Sequence, residues 1–136
     1  MFAIVVAIAA AIFAGQAEPA PLAYRVFDAK SAGEAIAVVR ASCERCDWAV
    51  EGREAAALRL SFDGKYSQHV LLNRGSGNWE YHVTLGPVTA GTHRIFVHLD
   101  PALTARDVGK VTVDGISTHV IPAGSDAHLA QAMAPF

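Results

Sequence analysis

The feature that most constrains this chain is an alternation of apolar and polar residues with a period of two, cut by turn residues. In ALRLSFDGKYSQHVLL, residues 57–72, Leu58, Leu60 and Phe62 alternate with Arg59 and Ser61. After Asp63-Gly64, Tyr66, Gln68, Val70 and Leu72 alternate with Lys65, Ser67, His69 and Leu71. Two is the period of a pleated strand, whose successive side chains leave opposite faces. Two such runs joined by Asp-Gly predict a β-hairpin, because a two-residue type I′ turn needs positive φ at both central positions.

The same period recurs along the chain. Leu22, Tyr24 and Val26 alternate with Ala23, Arg25 and Phe27, which predicts a first strand. AIAVVR, residues 35–40, is an apolar run of strand length; KSAGE before it is a loop or the opening of a short helix. After the loop NRGSGN (73–78), Trp79, Tyr81, Val83 and Leu85 alternate with Glu80, His82 and Thr84 until Gly86-Pro87. His93, Ile95, Val97 and Leu99 alternate with Thr92, Arg94, Phe96 and His98, ending at Asp100-Pro101. KVTVD and ISTHVI around Asp114-Gly115 read as a second hairpin, and Ser125-Asp126 as the cap of a helical turn through about Met133. Seven or eight short strands at this spacing, without a crossover helix, predict an all-β antiparallel sandwich or barrel instead of a parallel βαβ sheet.

The N-terminus bears on compartment. Residues 1–17, MFAIVVAIAAAIFAGQA, carry no charged side chain, and Gly15-Gln16-Ala17 places small residues where a signal peptidase cuts. A membrane anchor is the rival reading. It is disfavoured because a spanning helix needs roughly 20 apolar residues, and Glu18-Pro19-Ala20-Pro21 ends the run first. The expected organisation is a signal peptide at 1–17, an extended lead-in at 18–21 and a β-sandwich at 22–122. The tail, 123–136, either packs on the sandwich or opens a further region. The expected location is secreted or periplasmic, with no membrane contact beyond the signal. The net charge of −2, without a basic cluster, argues against a nucleic-acid partner.

Cys43 and Cys46, the only cysteines, form a C-x-x-C pair. In an exported protein that spacing favours a disulfide; redox and metal roles are the alternatives. No helix is predicted after Cys43, and Glu44 and Asp47 would raise a thiol pKa. Zinc needs more ligands than one such pair supplies. His69, His82, His98 and His119 fall on the polar phase of their strands and read as surface residues; His93, on the apolar phase, reads as a hydrogen-bonded residue at a strand start. No metal ligand set and no cofactor is therefore assigned. Tyr66, Trp79 and Tyr81 lie on the apolar phase, where core packing is favoured. Trp48, in the loop after the cysteines, is the first candidate for an exposed ring, and Trp79, beside the Gly-rich loop, the second. Ser76 lacks the strand-to-helix setting of a nucleophile elbow, and Asp63, Asp100 and Asp114 sit at turns. No catalytic residue is assigned, and enzymatic activity is not expected.

The segment EAAALRLSFDGKYSQHVLL…WEYHVTLGPVTAGTHRIFVHLD, residues 54–100, resembles the jelly-roll sandwiches of galactose-binding-like and carbohydrate-binding modules. The resemblance implies a non-catalytic accessory domain that binds glycan. Trp48, Trp79, Asn73 and Asn78 are the candidate ligand-binding residues. The alternatives are a structural module that packs on a neighbouring domain or partner protein, and a thiol–disulfide redox protein acting through Cys43 and Cys46.

Overall fold

The structure, a computed structural model, describes residues 18–127. Its elements are seven strands: β1 Ala23–Ala29, β2 Gly33–Cys43, β3 Ala56–Phe62, β4 Lys65–Leu72, β5 Asn78–Val88, β6 Gly91–Leu99 and β7 Val111–Pro122. All pairings are antiparallel. A four-stranded sheet runs β1-β6-β3-β4, and a three-stranded sheet runs β5-β2-β7. This is the antiparallel sandwich expected from the alternation. The C-terminal helical turn expected through Met133 is not supported: every element is a strand, and residues 128–136 lie outside those described. The expected signal peptide at 1–17 lies outside them too. Among the described residues no helix is long and apolar enough to cross a membrane.

The core lies between the sheets. The four-stranded sheet contributes Leu58, Leu60, Leu72, Ile95 and Val97; the other contributes Ala37, Val39, Ala41, Val83 and Ile116. On the central strand β2 the buried positions Ala35, Ala37 and Ala41 are small. At its start Gly33 is so near the Ile121 carbonyl that a Cβ would overlap it. The chain crosses between the sheets at every connection except the β3–β4 hairpin. That hairpin has the turn predicted, with φ of 48° at Asp63 and 79° at Gly64.

Three bulges alter the sequence reading. Gly86-Pro87 does not end β5: the register against β2 shifts between Ala35 and Ile36, and β5 runs on to Val88 with Gly86 at φ 101°. Asp114-Gly115 does not turn: β7 is one strand along β2, with a register shift opposite Arg40 and Ala41. A bulge puts an extra residue into a continuous ladder, and the same Asp-Gly chemistry serves it as serves a hairpin. In β4 the shift between Leu60 and Ser61 of β3 passes over Ser67, since Leu60 faces Gln68 and Ser61 faces Tyr66. This reverses the phase of Tyr66, which is 63% exposed instead of packed in the core. The expected phase of β1 is reversed as well: Ala23 and Phe27 pack on the core, while Tyr24 and Val26 face out.

Candidate functional site

The two ends of the sandwich differ. At one end sit short turns: β1–β2, β3–β4 and β5–β6. At the other sit the three long connections, residues 44–55, 73–77 and 100–110. Two of these loops, 44–55 and 100–110, are tied to each other by backbone hydrogen bonds. Glu44 N–H donates to Lys110 O (2.9 Å), Gly109 N–H to Glu44 O (2.6 Å), Ala105 N–H to Ala55 O (2.9 Å) and Asp107 N–H to Gly52 O (2.8 Å).

Cys43 and Cys46 form a disulfide. It closes a tight turn in which Cys46 N–H donates to Cys43 O and Arg45 takes φ 61°. Both cysteines belong to the buried core, so the bridge anchors the base of the 44–55 loop. Beyond it Asp47 organises the loop: its carboxylate accepts the Ala49 N–H (3.0 Å), its carbonyl the Val50 N–H, and its own N–H donates to Arg53 O. Arg53 Nε in turn donates to Arg45 O (2.6 Å). Glu54 accepts the Gly52 N–H (3.0 Å); its own backbone N–H and that of Gly52 hold its carboxyl below the usual range. Trp48 projects from this framework 60% exposed, as expected.

The Gly-rich loop docks on the same framework. Ser76 Oγ donates to Cys46 O (3.3 Å), and Gly75 lies against that carbonyl. The loops that carry Trp48 and Trp79 are therefore neighbours. Trp79 is 37% exposed, not packed in the core, and the Arg74 guanidinium lies 4.4 Å over its ring. Gly77, at φ 125°, lies beside the indole nitrogen. Tyr81, two residues on, does pack on the core; burial pushes its phenol up, with Arg74 pulling the other way. Asn73 is exposed. Asn78 is committed within the fold, its side-chain amide donating to Asp114 of the β7 bulge (2.5 Å). The Arg74–Trp79 stack was missed in the sequence because a cation five residues away carries no periodic signal.

The histidines divide as their phases predict. By register His69 and His98 belong to the outer face of the four-stranded sheet, whereas exposed His82 and His119 lie on the three-stranded sheet. His98, expected at the surface, is buried. Among the described residues no group of three or more His, Cys, Asp or Glu side chains is placed to hold a metal ion.

The fold has known counterparts. The chain is similar to the CBM36-1 domain of a multidomain xylanase from the hindgut metagenome of Trinervitermes trinervoides, with TM-score 0.54, 12% identity, and 72% of this chain and 69% of that chain covered. Looser likenesses are to the EclA C-terminal domain, a sugar-binding protein (TM-score 0.48, 15% identity, 74% and 67% covered), and to a family 35 carbohydrate binding module from an environmental isolate (TM-score 0.43, 21% identity, 79% and 77% covered). No protein-family model and no curated protein sequence matches the chain. At this identity the likeness to the CBM36-1 domain shows the fold, an antiparallel β-sandwich, which is the fold that the resemblance of residues 54–100 implies.

Proposed function

We propose that this chain is an exported, non-catalytic binding module whose ligand is a glycan, held at the long-loop end. Trp48 supplies the principal ring plane. Trp79, with Arg74 stacked on it, supplies a second surface, and Asn73 a polar contact; Asn78 acts through Asp114 by fixing the start of β5. The observation that carries this reading is the exposed Trp48 indole on a loop fixed by a buried disulfide and by backbone bonds to residues 105–110. A large apolar ring displayed on a rigid base is ready for stacking with little ordering cost. The likeness of the fold to a module of a xylanase points the same way, though fold alone does not fix function.

Export is supported by the apolar residues 1–17 and by the disulfide, which persists in oxidising compartments. The rival redox role is disfavoured, since exchange requires a thiolate to reach a sulfur and Cys43 and Cys46 are 1% and 2% exposed. Affinity electrophoresis of residues 18–136 through gels containing xylan, mixed-linkage β-glucan, galactan or galactomannan tests the proposal. Retardation by one of these, reduced about tenfold in affinity by Trp48→Ala, is the expected outcome. Unaltered mobility in every gel would remove the glycan reading and leave a module that packs on a partner protein.

A further inference from the structure

The outer face of the four-stranded sheet holds a second constellation. Register aligns Tyr24 with Phe96, Phe96 with Ser61 and Ser61 with Tyr66, one row across all four strands. The next row sets Arg59 between His98 and His69. Tyr24 is 66% exposed and stacks on Phe96, with ring centroids 6.0 Å apart. Tyr66 is fixed from behind: its hydroxyl is bonded to His69 Nδ1 (2.9 Å), and His69 Nε2 to Asp100 Oδ2 (2.8 Å). Ser61 is the small residue in the row. It leaves a gap between Phe96 and Tyr66, which stand two strand spacings apart, about 10 Å.

A pocket of about 360 Å³ opens beside this gap, lined by Ser61, Phe96 and His98, by Gly64 of the hairpin turn, and by the lead-in 18–21 as a wall. Glu18 anchors the wall by an ion pair with Arg59. His98 is only 8% exposed, and its Nδ1 has no hydrogen-bond partner among the described residues. His98 lines the pocket, while Nδ1 itself is enclosed beneath it. Rings interleaved with a hydroxyl, an imidazole and a guanidinium suit a pyranose, whose C–H faces lie on rings while its rim of hydroxyls meets polar groups. An apolar protein surface would leave those same polar groups buried and unpaired.

We propose that this face is a second glycan site, separate from the long-loop end, with a pyranose seated over Ser61 between Phe96 and Tyr66. The proposal rests on the reading that the chain binds glycan, and its test separates the two. Affinity for a polysaccharide that retards the wild type is measured for Tyr24→Ala/Tyr66→Ala and for Trp48→Ala/Trp79→Ala. Both tyrosines are exposed, so their removal leaves the core intact. The expected result is an about tenfold loss in the tyrosine variant and no retention when all four rings are removed. Full affinity in the tyrosine variant, with loss in the tryptophan variant, overturns the second site and leaves the loop site standing. Absence of wild-type binding overturns both. As a second readout, titration of the unaltered protein with soluble fragments of that polysaccharide must move the amide resonances of Ser61, Phe96 and His98. Movement confined to residues 44–53 and 73–78 also overturns the proposal.

Discussion

At His93 two ring nitrogens meet two acceptors. Nδ1 lies 2.7 Å from Asp63 Oδ2, and Nε2 lies 2.8 Å from Thr89 O. A neutral imidazole donates from one nitrogen only, so this geometry selects the imidazolium. It stands between Phe27 and Phe62, at centroid distances of 5.5 and 5.6 Å. The Asp63 hydrogen bond, then the Thr89 carbonyl, raise its pKa against the opposing effect of burial. For Asp63, burial pushes the carboxyl up, but the His93 hydrogen bond and the Arg94 N–H outweigh it and leave the pKa lowered. A raised folded-state pKa gives stability that is complete below the unfolded value, about 6.5, and is lost as pH rises through the folded one. The melting temperature should therefore fall as pH rises above about 6.5 in the wild type, and fall less in His93→Gln. Comparing the two proteins matters because His98 acts oppositely: burial, then Arg59, lower its pKa, so its contribution is lost on acidification. A parallel decline in both proteins would show that the clamp does not titrate there. The sequence indicated a hydrogen-bonded His93; its partner was hidden because Asp63 also satisfies the rules of a turn residue.

At the level of elements, alternation and one apolar run located the strands, with β7 read as two, and a bulge accounts for the misread face of Tyr66. A single extra residue in β4 at Ser67 turned Tyr66 outward, and local pattern carries no sign of such an insertion, since it depends on the partner strand. Asp114-Gly115 was misread for the converse reason: its composition fits a turn, but pairing with β2 along its length holds β7 extended. The cysteine pair was legible because compartment, spacing and the missing helix agreed. Its placement in the core was not, since nothing local shows that residues 43 and 46 both point inward. Replacing both with Ala should cost about 2 kcal/mol on the chain-entropy account of so short a loop, plus a small packing loss. Denaturant unfolding of the variant, and of the wild type with and without reductant, measures this. If the long-loop end holds glycan as proposed, the same variant should bind it more weakly, because the Trp48 loop loses its anchor. Unchanged unfolding midpoints under reductant would show that the backbone bonds alone hold the turn.

For the whole molecule, the sandwich depends on apolar side chains that meet between the sheets. Leu60 is fully buried there, whereas Leu71 of β4 is 46% exposed. Leu60→Ala should cost about 2–5 kcal/mol by lost transfer energy and the cavity left, and Leu71→Ala no more than about 0.5 kcal/mol. Equal effects in denaturant titrations would contradict the assignment of inner and outer faces. Fold class could be read from the chain because one period dominates it. The partition into two sheets could not, because alternation reports that a strand has two faces and not which strand lies beside it. The outer-face pocket was unreadable for the same reason, as its residues come from the lead-in, β3, β6 and the hairpin turn.

The difference between the two ends gives the molecule a direction. β7 starts among the long loops and leaves the sandwich at the short-turn end, where Ala123 N–H donates to Ala32 O (3.0 Å). A tether attached after Pro122 would therefore hold the domain by its plain end and turn Trp48 and Trp79 away from the point of attachment. Coupled to a bead or a sensor surface through its C-terminal side, the domain would present its long loops to the solution. Coupled through lysines, of which Lys110 lies in the long-loop cluster, part of the population would be mounted face down.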